Sequence, residues 1–102
     1  MKSIYGDIPE KTVCDNISDL INQVFKLLPY KEQKNEKLDF LFASLLFRLV
    51  GMSKLFVDEP RWITIISYLE SARHEENFTL YRKAILDTCS ILSSIRKEDS
   101  HA

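Results

Sequence analysis

The sequence predicts an all-α domain, either a compact four-helix bundle or a closely related helical array. Three observations predict it. Apolar residues recur at spacings of three and four through four separate stretches of the 102-residue chain. Only two Gly and three Pro occur, too few for the tight turns of a sheet-rich fold. The connectors between the stretches are short and polar, which suits antiparallel helical neighbours. Residues 1–102 make one domain, long enough to bury roughly 60–65% of the unfolded surface without a disulfide or metal.

Residues 1–8 read as a flexible arm. Asp7 and Pro9 resemble a helix start, since an acidic cap and an early Pro suit the unpaired N–H groups of a first turn. Val13, Ile17, Leu20, Ile21, Val24, Phe25 and Leu28 then give one apolar face, and Pro29 is expected to end that helix. Tyr30 to Glu36 reads as a polar connector. The second helix is expected from Leu38 to Gly51, or as far as Phe56.

Val57-Asp58-Glu59-Pro60 is the clearest boundary, with acidic residues and a Pro at the next start. The third helix carries Trp62, Ile63, Ile65, Ile66, Leu69 and Ala72. Ile63 to Ile66 is β-branched and has strand propensity. Pro60 before it and the helical period after it nevertheless assign it to a helix. Arg73 to Asn77 forms a turn, with Asn77 as cap for the last helix. Phe78, Tyr81, Ala84, Ile85, Thr88, Ile91 or Leu92, and Ile95 form that helix's inner stripe. Residues 96–102 read as a frayed polar tail.

Fourteen basic and fifteen acidic side chains leave a formal net charge of −1. Duplex binding by charge neutralisation calls for a basic surplus, so no nucleic-acid partner is expected. The first residues contain no apolar signal region. The longest apolar stretch, Leu38 to Val50, is interrupted by Asp39, Ser44 and Arg48 and is shorter than the roughly 20 residues a membrane span needs. These features predict a soluble, cytoplasmic protein. Cys14 and Cys89, far apart and without a CxxC partner, read as reduced and mostly buried.

The second helix departs from the ordinary amphipathic pattern. On a wheel of 100° per residue it carries two apolar stripes. One is Leu38, Phe42, Leu45, Leu46 and Leu49, continuing to Met52 and Phe56. The other is Phe40, Ala43, Phe47 and Val50. A polar seam of Lys37, Ser44 and Arg48, broken by Leu41, separates them. Two stripes need two covering surfaces. Either this helix is the centre of the fold, enclosed by the other three, or the second stripe is a homodimer or partner interface anchored by Phe40 and Phe47. Trp62, in the first turn after Pro60, is the aromatic expected to be half exposed and so to add a secondary contact.

The chain carries little sign of chemistry. No Glu-x-x-His pair marks a di-iron site. Glu70 and His74 stand four apart, but HEENF lacks the second His of a metalloprotease helix. Neither cysteine has an adjacent base, and no Gly-rich loop cradles a phosphate. No catalytic residue, cofactor or metal is therefore assigned.

The stretch Gly51 to Leu92 (GMSKLFVDEPRWITIISYLESARHEENFTLYRKAILDTCSIL) resembles small uncharacterised helical proteins of prophages and mobile elements of low-GC Gram-positive bacteria. That likeness is in size, composition and style. It implies a phage- or mobile-element-encoded adaptor or inhibitor of a host protein. Arg96-Lys97-Glu98-Asp99-Ser100-His101 resembles the Arg–His spacing of small four-helix RNases of the HEPN class. This implies an RNase using Arg96 and His101. Bacteriocin immunity proteins are similar in size and helical content, though they have a basic balance and a long C-terminal segment that this chain lacks. The residues themselves favour a non-enzymatic protein–protein interaction module.

Overall fold

A computed structural model describes residues 1–99. Helix α1 spans Glu10–Glu32 and buries Val13, Ile17, Leu20, Ile21, Val24 and Leu27; of the expected face, Phe25 is exposed and Leu28 only half-buried, Leu27 taking the inner position. Pro9 precedes it with ψ 137°, and no side chain caps it. Asp7 is not the cap. It pairs instead in a two-stranded hairpin of β1 (Lys2–Ser3) and β2 (Gly6–Asp7), with Lys2 opposite Asp7 and Ser3 opposite Gly6. The turn needs Gly6 at φ 108°, a conformation that side chains disfavour.

This hairpin replaces the flexible arm anticipated for residues 1–8. Met1 and Ile8 pack against the core. The Ile4 N–H donates to the Leu55 carbonyl at 2.9 Å, satisfying an acceptor that the end of the second helix would otherwise leave open.

Pro29 does not end α1; it lies inside the last turn. The N–H it lacks would have bonded to Phe25, and because Pro29 faces solvent that carbonyl can be hydrated. The helix closes four residues later by a Schellman motif. Asn35 N–H bonds the Tyr30 carbonyl at 2.9 Å and Lys34 N–H the Lys31 carbonyl at 3.2 Å. Lys34 occupies the left-handed position at φ 50°, where Gly is usual.

Helix α2 spans Leu38–Leu55. Its start is set by the Asn35 side chain, whose Oδ1 accepts the Lys37 N–H at 2.8 Å. Helix α3 spans Arg61–Arg73, so the β-branched run Ile63 to Ile66 is helical as expected. Helix α4 spans Phe78–Asp99. Asn77 caps it through Oδ1, which accepts the Leu80 N–H at 3.2 Å.

Each helix packs against its sequence neighbours, and α1 closes the ring by packing against α4. Side-chain ties fix the directions. Cys14 near the start of α1 donates to the Arg96 carbonyl near the end of α4 at 3.8 Å, and Tyr81 near the start of α4 donates to the Leu27 carbonyl near the end of α1 at 2.6 Å. Arg61 at the start of α3 meets Glu98 at the far end of α4. The result is a four-helix bundle of neighbouring antiparallel helices measuring 41 × 21 × 19 Å.

The core is apolar and aromatic. Phe42 meets Tyr81 edge-on at 6.2 Å between centroids, while Phe56 stacks on Trp62 at 6.4 Å. Arg96 to Asp99 continue α4 and are not a frayed tail. Arg96 donates to Ser18 Oγ at 3.0 Å, and the Glu98–Arg61 pair holds this end against α3.

Candidate interaction surface

α2 presents its two stripes to different surroundings. Phe42, Leu45, Leu46 and Leu49 are buried against the other helices. Phe40 and Phe47 are 76% and 83% exposed, Val50 is 37% exposed, and Ala43 is exposed beside them. The geometric reason lies in the ring of helices. α2 packs on α1 and α3 only along its flanks, so the face about 140–180° from its buried centre points away from the bundle. Arg48 marks the α1 flank, where it donates to Asp19 at 2.8 Å. α2 is therefore a corner of the bundle and not a helix enclosed by the other three.

Trp62 is a correction. It is fully buried, stacked on Phe56, and cannot serve as a secondary surface contact. On the α3 wheel it stands about 20° beyond Leu69, at the edge of the arc of Ile65, Leu69 and Ala72, all buried. Its indole Nε1 has no hydrogen-bond acceptor among the described residues. The most exposed apolar residue of α3 is Ile63, at 64%, with Tyr68 also exposed. Ile63 lies about 100° round the helix from Trp62, on the side away from Ile65. Val57, also 64% exposed, follows the end of α2.

Among the described residues, no group of three or more His, Cys, Asp or Glu is placed to hold a metal ion. Cys14 and Cys89 are not joined in a disulfide. With Cys14 beside Arg96 in the antiparallel α1–α4 pair, Cys89 stands two turns away, about 10 Å along α4. That exceeds the span of a disulfide. Burial pushes the Cys89 thiol up to about 11, the opposite of an activated nucleophile.

Arg96 of the anticipated Arg–His pair is engaged with Ser18, and His101 lies outside the described residues. One open cleft of about 380 Å³ is lined by Lys2, Asp7, Glu59, Arg61 and Glu98 among others. Arg61 binds Glu59 through two nitrogens at 2.7 and 2.8 Å and Glu98 at 2.5 Å. These bonds hold the Glu59 carboxyl below its ordinary range and the guanidinium above its own. Arg61, Glu59 and Glu98 satisfy one another in this cleft, and the Arg61–Glu98 pair fastens α3 to α4. A second cleft of about 380 Å³ lies at the α1–α2 turn, lined by Lys31, Lys34, Asn35, Glu36, Leu38 and Asp39. Neither lining contains a His, Cys or Ser. No described helix is long and apolar enough to cross a membrane.

No protein-family profile, curated protein or solved structure matches the chain. The surface must be interpreted from its own chemistry.

Proposed function

We propose that the protein is a non-enzymatic protein–protein interaction module that works through the outward face of α2. The observation that carries this reading is the pair Phe40 and Phe47, 76% and 83% exposed on one face with Ala43 and Val50 between and beside them. An isolated exposed apolar side chain needs no explanation, but a contiguous helical stripe anchored by two aromatics has the make-up of an interface centre. Burying each phenylalanine favours association by about 1.5–3 kcal/mol. Aromatic anchors on a fixed helix also lose little conformational entropy on docking.

The test compares photo-crosslinking from two exposed positions of the full chain. Benzoylphenylalanine at Phe47 is expected to give a discrete adduct, and the same group at Ser94 on α4 is expected to give none. Adding Phe40→Asp to the position-47 probe should abolish the adduct. Equal labelling from positions 47 and 94, or an adduct indifferent to Phe40→Asp, overturns the reading.

A further inference from the structure

The outward face of α2 continues beyond its apolar residues. Glu36, in the turn leading into α2, stands four positions before Phe40, and Lys54 stands four positions after Val50. The full series is Glu36, Phe40, Ala43, Phe47, Val50 and Lys54, with spacings of four and three in strict alternation. That is the heptad seam by which two helices pack side by side. Glu36 and Lys54 are both exposed, and neither has an ion-pair partner among the described residues. Of the other basic groups near this face, Arg48 pairs with Asp19 and Lys31 lies over the Tyr81 ring, while Lys34 and Lys37 flank Glu36 in the turn.

The order of residues along this seam is self-complementary when reversed. Laid antiparallel on a copy of itself about its midpoint, the series sets Glu36 opposite Lys54, Phe40 opposite Val50 and Ala43 opposite Phe47. Two-fold symmetry makes each pairing twice. Both ends then carry opposite charges, and each phenylalanine meets a smaller side chain that leaves room for it. The helix dipoles also oppose. A parallel arrangement sets Glu36 on Glu36, Lys54 on Lys54 and Ala43 on Ala43, with repulsion at both ends and a gap in the middle.

We infer that the partner of this face is a second copy of the chain, docked antiparallel through α2 in the register that places Glu36 against Lys54. This rests on the reading of the face as an interaction surface and adds its occupant and geometry. The seam is about 27 Å long, the length of an 18-residue helix. An interface of one helix pair is small, so association is expected at roughly micromolar concentrations.

The experiment is light scattering and sedimentation equilibrium on the full chain across roughly 1 µM to 1 mM. The wild type is expected to reach twice its 11.9 kDa mass. Glu36→Lys and Lys54→Glu should each weaken the dimer about tenfold, because each change creates two like-charge pairs. The combined swap should restore the wild-type dissociation constant to within about threefold. Phe47→Asp should give a monomer whose helical circular dichroism is intact.

A wild type that stays monomeric throughout overturns the second copy as occupant. The crosslink from position 47 then reports separately on the surface itself, as an adduct of another mass. A dimer dissociated by Phe47→Asp but not restored by the charge swap overturns the antiparallel register. A dimer indifferent to Phe47→Asp overturns both this inference and the assignment of the face.

Discussion

Phe42 and Phe47 lie five residues apart on one helix, and their surroundings are opposite. Phe42 is 1% exposed and lies edge-on to Tyr81; Phe47 is 83% exposed and meets no other ring among the described residues. The side chains are identical and the local backbone is helical at both. What separates them is about 140° of rotation round α2 and the placement of α1 and α3 on its flanks. Composition therefore says little about the role of an apolar residue in this protein; angular position relative to packed neighbours decides it. One face of α2 packs into the core and the other, exposed, is the face proposed for association, so substitutions should separate the two.

The largest effect is expected at Leu49→Ala. Leu49 is fully buried, and loss of its side chain should cost about 2–5 kcal/mol in a denaturant titration. A loss below about 1 kcal/mol would mean that the inner face packs loosely. Tyr81→Phe comes next. It removes the 2.6 Å bond to the Leu27 carbonyl across the α1–α4 pair and should cost about 1–2 kcal/mol.

Tyr81 and Cys89 also predict a pH dependence. Burial holds both groups above their ordinary values, Cys89 moving from 9.0 to about 11. A raised folded-state value means that the unfolded chain releases its proton first. Stability from Cys89 is thus complete below pH 9 and is lost as pH rises through about 11. Tyr81 adds a loss that begins near pH 10, where an unfolded tyrosine ionises. Melting temperature should fall across this range, and less steeply in Tyr81→Phe. An equal slope in both proteins would show that the phenol is not shielded.

Lys34→Gly belongs to neither face and serves as a control. It relieves a left-handed side-chain residue in the Schellman turn, offset in part by the greater freedom of glycine in the unfolded chain. A gain of up to about 1 kcal/mol in thermal or chemical unfolding is expected, with no change in association. Smallest of all is the effect of Phe47→Asp on folding, expected within about 0.5 kcal/mol of wild type while association is lost. A large loss of stability there would place Phe47 in the core and remove the distinction between the faces.

Much of the bundle was legible in the residues. The heptad-like spacing of Val13, Ile17, Leu20 and Val24, the boundary at Asp58-Glu59-Pro60 and the cap at Asn77 are local signals, and each stands where expected. Pro29 misled because a proline facing solvent in a last turn interrupts one bond without breaking the helix. Asp7 misled because a hairpin used it first. Trp62 was assigned half-exposure from its place near a helix start, yet the neighbouring Phe56 from the α2–α3 connection covers it.

By itself the sequence determined the four helices, most of the buried positions on three of them and the presence of two stripes on α2. These follow from periodicity, which is a property of the chain at short range. Only the tertiary structure decided which α2 stripe is covered, that Phe56 covers Trp62, and that residues 1–8 close over the end of α2. Each of those outcomes depends on which surfaces distant segments bring alongside. A helical wheel gives the angle between two stripes. It does not say where the neighbouring helices stand.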